Sequence, residues 1–246
     1  MACTAWFILP RPQLNPRLRL FCLPFAGGGA ALFRAWPEAL SASVEVCAVE
    51  LPGRGSRLRE PAYTDLERLL DSLTGAILPL LDRPFALFGH SMGALIGFEL
   101  ARRLRRKVGL LPEHLFVGAH RAPQVGASNA PIHRLPDSTF VAKLRALNGS
   151  PTKVLDDPDL MRLFMPTLRA DFAVCETYCY TVADPLDCPI SVFGGLADRE
   201  VSREELEPWR VHTSSDFSVQ MFPGDHYFVR SASALLLQAI GQDLSR

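Results

Sequence analysis

The chain has 246 residues, 48% apolar and 21% charged, with 26 Lys and Arg balanced by 26 Asp and Glu. That length suits one large α/β domain, and the apolar share supports a buried core and excludes a disordered chain. A formal net charge of zero speaks against a nucleic-acid binder, which needs surplus cations to displace counterions.

Met1 to Pro10 is apolar but carries no basic leader, so it does not read as a secretory signal, and a cytoplasmic protein is expected. Leu18 to Leu23 is a strand-length apolar run, ended by Pro24 and the glycines Gly27 to Gly29. Ala30 to Leu40 reads as a helix, and Val44 to Val49 as the next strand, closed by Pro52-Gly53-Arg54-Gly55. Thr64-Asp65-Leu66-Glu67 has the capping-box pattern, with Thr64 as cap, and opens a helical stripe from Leu66 through Leu69, Leu70, Leu73 and Ile77 to Leu81. Phe85 to Phe88 is a short buried strand, Ala94 to Leu104 a helix and Leu115 to Gly118 a further strand. Near the end come strands Ile190 to Phe193 and Phe217 to Phe222, then a helix from Ala232 to Leu244. Strands alternating with helices predict a mainly parallel sheet covered on both faces.

Between Pro123 and Pro189 no strand is evident, and Ser138 to Leu147, Pro158 to Phe164 and Thr167 to Tyr180 read as helices. The expected organisation is one domain, residues 1–246, with a helical lid inserted at about 124–188. Every apolar run is broken well before the ~18 residues of a bilayer span, so no membrane association is expected. The six cysteines, Cys3, Cys22, Cys47, Cys175, Cys179 and Cys188, read as reduced thiols. Cys175 and Cys179 would share a helical face, but the second close ligand pair of a zinc site is missing, so no metal is expected.

Gly89-His90-Ser91-Met92-Gly93 follows an apolar strand and opens an apolar helix. That is the setting of a nucleophile elbow, where the glycines keep side chains out of a crowded turn and Ser91 projects as nucleophile. A serine needs a base, and His226 in Gly224-Asp225-His226-Tyr227 follows the strand Phe217 to Phe222. Asp198, just after the strand ending at Phe193, is the candidate that orients the imidazole. Parallel strands share their carboxyl edge, so all three fall on one side of the sheet. The oxyanion needs two backbone donors: Met92 after the nucleophile, and Phe25, with Ala26 as its rival, in the loop after the first strand.

The sequence resembles the type II (editing) thioesterases that accompany polyketide synthases and nonribosomal peptide synthetases, members of the α/β-hydrolase superfamily. The resemblance rests on Leu23-Pro24-Phe25-Ala26-Gly27-Gly28, Leu51-Pro52-Gly53-Arg54-Gly55, Phe88-Gly89-His90-Ser91-Met92-Gly93-Ala94, Arg121-Ala122-Pro123, Arg169-Ala170-Asp171-Phe172, Glu176-Thr177-Tyr178 and Gly224-Asp225-His226. It implies the α/β-hydrolase fold, the triad Ser91, Asp198 and His226, and hydrolysis of acyl thioesters on the phosphopantetheine arm of an acyl or peptidyl carrier protein. That arm arrives with the substrate, so no cofactor is required, and a monomer is expected. A small-molecule carboxylesterase or lipase, and a catalytically silent hydrolase-fold binding protein, are the alternatives. Arg54, Arg57, Arg59 and Arg121 follow strands and are expected at the entrance for the arm, whereas the cluster Arg102 to Lys107 is expected to stay solvated at the far edge.

Overall fold

Apolar runs of five or six residues recur between amphipathic helices, and parallel pairing is the arrangement that buries such runs on both faces. The computed structural model of the protein describes residues 5–126, 130–147 and 155–245. Among these, seven strands form one sheet: β1 (Phe7–Ile8), β2 (Leu18–Leu23), β3 (Val44–Val49), β4 (Phe85–His90), β5 (His114–Gly118), β6 (Ile190–Gly195) and β7 (Phe217–Phe222). Their order is β1-β3-β2-β4-β5-β6-β7. Only the edge strand β1 pairs antiparallel, with Phe7 opposite Val49; the remaining pairs are parallel. Strands β2 to β6 are buried at every residue, while the edge strand β7 alternates.

The longer helices are α1 (Leu66–Ile77), α2 (Met92–Val108), α3 (Asp137–Leu147), α4 (Pro158–Glu176) and α5 (Ser233–Asp243). On one face of the sheet Leu69, Leu73 and Ile77 of α1 and Leu95 and Phe98 of α2 join Phe21, Leu87 and Leu115 in a buried cluster. On the other, Trp36, Leu236 and Ile240 join Leu20, Phe88 and Phe116. Helices α3 and α4, inserted between β5 and β6, share a small core of their own around Phe140, Leu144, Met161 and Leu168.

Several local expectations change. Ala30 to Leu40 is not one helix but a 3-10 turn, Ala30–Phe33, followed by a single helical turn, Trp36–Ala39. Pro37 stands in the first turn of the latter, where a missing N–H costs nothing, so it starts a turn instead of continuing one. Helix α1 is capped by Asp65, not Thr64: the Asp65 carboxylate accepts the Arg68 amide at 2.9 Å, and Glu67 pairs with Arg103 of α2. The two helices expected at Pro158 to Phe164 and Thr167 to Tyr180 are the single helix α4, which runs through Pro166 and stops at Glu176. Its burial of Met161, Leu168, Ala170 and Val174 outweighs the one hydrogen bond a proline removes. Cys179 therefore lies beyond the helix and shares no helical face with Cys175, and Cys3 lies outside the described residues. The basic cluster is likewise less solvated than expected: Arg103 is buried and pairs with Glu67 and Asp71, which ties α2 to α1.

Among the described residues no helix is long and apolar enough to cross a membrane.

Candidate active site

Strand β4 ends at His90 and helix α2 begins at Met92, leaving Ser91 alone to make the turn. It does so at φ 53° and ψ −115°, a conformation that few non-glycine residues adopt and that is found where surrounding structure imposes it. A Cβ on Gly89 would stand 2.1 Å from the Gly93 carbonyl oxygen, and one on Gly93 would stand 2.2 Å from that of Leu23. Both positions of the motif are thus closed to any side chain. The Ser91 amide is held by the Gly118 carbonyl at 2.7 Å, and the residue remains partly open to solvent.

The loops after β6 and β7 bring Asp198 and His226 together: His226 Nδ1 lies 2.9 Å from Asp198 Oδ2. The other oxygen, Oδ1, accepts the amides of Glu200 at 2.7 Å and Val201 at 3.2 Å. Burial alone would raise the Asp198 carboxyl, but the bond from His226 and these two amides outweigh it and hold the group below the usual carboxylate range. An ionised carboxylate only accepts, so His226 carries its proton on Nδ1 and leaves Nε2 as a base. The Asp198 side chain is fully buried, whereas that of His226 is 13% exposed. Asp225, the nearer acid in sequence, caps its own loop by accepting the Tyr227 amide at 2.9 Å.

His90 fixes the loop from below. Its Nε2 donates to the His226 carbonyl at 2.7 Å, and its ring meets those of Phe25, His226 and Phe228 edge-on. Burial holds it neutral, with a pKa lowered to about 3. The remaining histidines are engaged elsewhere: His114 with Ser191, His120 with the Arg121 carbonyl, His133 with Glu176 and His212 with Gln124.

Ser91, His226, Met92, Phe25 and Ala26 line one cavity of about 530 Å³, whose apolar wall includes Leu144, Leu147, Leu168 and Phe172 of the inserted helices. Gly27, next in the Phe25 loop, already gives its amide to Asp171 at 2.7 Å. The entrance residues depart from expectation. Arg54 and Arg57 are buried: Arg54 pairs with Asp171, and Arg57 pairs with Glu60 and stacks over Trp6 at 4.2 Å. Arg121 is half-buried and donates to the Glu200 carbonyl, which leaves Arg59 as the exposed cation of the four.

The model of the Thioesterase domain family matches residues 18–244. The chain belongs to the thioesterase family. It is 44% identical to the gramicidin S biosynthesis protein GrsT of Aneurinibacillus migulanus, over 97% of this chain and 93% of that one. Among solved structures, the RedJ thioesterase from the prodiginine pathway in Streptomyces coelicolor superposes with a TM-score of 0.87 at 38% identity, covering 95% of this chain and 90% of its own. The type II thioesterase BorB from the borrelidin biosynthetic cluster gives 0.89 at 33% identity, covering 100% and 98%. The α/β-hydrolase fold and the resemblance to type II thioesterases are both borne out, and the thioesterase is a hydrolase acting on thioesters.

Sequence reasoning missed Asp171, Thr167 and the buried role of Arg54. The Asp171 signal was present, an acid on the apolar side of α4 at the spacing of Leu168 and Val174, but its partner lies 117 residues away.

Proposed function

We propose that this thioesterase removes stalled or aberrant acyl chains from the phosphopantetheine arm of acyl or peptidyl carrier proteins in polyketide and nonribosomal peptide synthesis. Ser91 attacks the thioester carbonyl while His226 Nε2 takes its proton. The amides of Met92 and Phe25 hold the oxyanion, and Asp198 stabilises the imidazolium. Collapse of the tetrahedral species breaks the C–S bond, and His226 protonates the leaving thiol. Water, activated by the same imidazole, then releases the acid and restores Ser91. The observation that carries this assignment is the 2.9 Å pair of His226 and Asp198 on the cavity that Ser91 lines. In this reading the chain is one hydrolase domain, residues 1–246, acting as a cytoplasmic monomer. Its insertion, residues 124–188, is a lid whose apolar side chains receive the acyl group; residues 127–129 and 148–154 of it lie outside the described residues.

The test is hydrolysis of an acyl carrier-protein thioester beside a nitrophenyl ester of the same acyl group. Ser91→Ala is expected to lose both turnover and labelling by a fluorophosphonate, with His226→Ala nearly as inactive, because triad members act as a unit. A Ser91→Ala protein that still turned over the thioester would refute the assignment, and faster hydrolysis of the oxygen ester would move the substrate class to small esters.

A further inference from the structure

The loop that bears Phe25 and Ala26 has little secondary structure to hold it. Gly27 sits at φ +77°, a left-handed conformation that glycine adopts without strain, and a Cβ there would stand 2.7 Å from the Leu168 side chain of α4. That amide donates to Asp171 Oδ2 at 2.7 Å. Arg54 grips the same carboxylate at both oxygens, Nη1 to Oδ2 at 2.8 Å and Nη2 to Oδ1 at 2.6 Å, and its Nη1 also donates to the Gly28 carbonyl at 3.0 Å. Both side chains are more than nine-tenths buried. One hydrogen bond later on the loop, the Gly28 amide closes back on the Phe25 carbonyl at 2.8 Å. Asp171 belongs to the inserted helix α4, which is seated a second time where Thr167 Oγ1 donates to the Gly53 carbonyl at 2.7 Å.

We infer that Asp171 and Arg54 are positioning residues for the reaction: by seating α4 on the Gly27–Gly28 turn they set the direction of the Phe25 and Ala26 amides, so that docking of the inserted helix and assembly of the oxyanion hole are one event. The inference rests on the proposed reading of Phe25 or Ala26 as an oxyanion donor. Neither side chain reaches the cavity that Ser91 lines, so the pair acts through the loop and not on the substrate. A bidentate buried pair suits this task, because guanidinium and carboxylate lock each other in one plane and leave one carboxylate lone pair aimed at the amide. A pair serving packing alone could be replaced by apolar groups of similar volume at little cost.

That contrast supplies the test. Asp171→Ala and the double variant Arg54→Met/Asp171→Leu are compared with the natural protein on an acyl N-acetylcysteamine thioester, which needs no carrier protein. Turnover is normalised to the number of Ser91 residues labelled at the fluorophosphonate endpoint, so a partly misfolded sample is not counted as a slow enzyme. Since loss of one oxyanion donor costs about 10²–10³ in kcat, misaiming one is expected to lower kcat per labelled serine by about 10- to 100-fold with KM changed less than about threefold. The inhibition constant of an alkyl trifluoromethyl ketone, whose hemiketal oxyanion occupies the same hole, is expected to rise by the same factor. Asp171→Asn keeps an acceptor for the Gly27 amide and is expected to recover part of the loss. Natural kcat and inhibitor affinity in the double variant would overturn the inference, as would a loss explained wholly by fewer labelled serines. Turnover by Ser91→Ala in the same assay would instead sink the reading of the site itself.

Discussion

At the level of single residues, the site is held by a carboxylate bonded at both of its oxygens. Asp198 spends one oxygen on two backbone amides and the other on His226, so it cannot rotate away from the ring. Asp198→Asn keeps this shape but presents an amide group that can donate to Nδ1 and favour the wrong tautomer, with the proton on Nε2. The expected outcome is a fall in kcat of about 10³–10⁴ with a small change in KM, read by steady-state hydrolysis of a small thioester. Near-natural turnover would remove Asp198 from the mechanism and make Asp225, whose carboxylate accepts the Tyr227 amide, the next acid to test. Arg57 illustrates the opposite case. Its position after a strand suggested a surface role, yet it lies 7% exposed between Glu60, the Glu50 carbonyl and the Trp6 ring. Reversing its charge would bury an unpaired carboxylate and unfold the loop before it reported on any partner.

Among elements, the two inserted helices are anchored unequally. Helix α4 is pinned through Asp171 to Arg54 and Gly27, and through Thr167 to Gly53. Helix α3 buries only Phe140 and Leu144 among its described residues; it meets α4 through the small core those two enter, with the Phe140 and Phe172 rings 5.6 Å apart, and through the largely exposed pair of Asp137 and Arg169, whose guanidinium lies 4.5 Å above the Phe140 ring. Exposed pairs contribute at most about 1 kcal/mol, so α3 opens more easily than α4. The two inserted helices are therefore not expected to open as one body. Amide hydrogen exchange is expected to be at least about tenfold faster across Asp137–Leu147 than across Leu168–Val174, with the latter approaching the protection of β4. Equal rates in the two helices would count against this division.

For the molecule as a whole, three neutral histidines, His90 and His212 buried and His120 half-buried, shape the response to acid. His90 is lowered to about 3, and His120 and His212 to about 4, in each case chiefly by burial. The unfolded chain takes up protons at these groups near pH 6.5 while the folded chain does not, so stability is lost as pH falls from about 6.5 toward the folded values. Each fully buried ring removes on the order of 1–2 kcal/mol between pH 6.5 and 5, and the half-buried His120 less, which is large against the marginal stability of a domain. Asp198, lowered by its hydrogen bonds, withdraws its own contribution only below the ordinary carboxylate range. Denaturant midpoints are expected to drop steeply from pH 7 to pH 5, and a flat profile would show that these rings ionise without unfolding.

The sheet, the elbow and the three strand-end residues were legible in the sequence, because the signals for each are mostly local. An apolar run of strand length bounded by turn residues reads as a strand buried on both faces, Gly89 is demanded by the Gly93 backbone four residues on, and parallel pairing sends every strand's carboxyl end to the same edge, whereas the crowding at Gly93 comes from Leu23 on the neighbouring strand. The ends of those strands, and hence Asp198 and His226, could be placed without knowing any distance. What the tertiary structure alone decided are contacts between residues far apart in the chain. Pro166 argued locally for a break, and the packing of Met161, Leu168 and Val174 overrode it. The capping-box spacing pointed to Thr64, and the backbone path made Asp65 the cap instead. Arg54 and Arg57 carry charges that in sequence belong at a surface, and each is buried because a carboxylate met it there, Asp171 from 117 residues away and Glu60 from three. A charge reveals where it prefers to be, but only the folded chain brings the partner that lets it be buried.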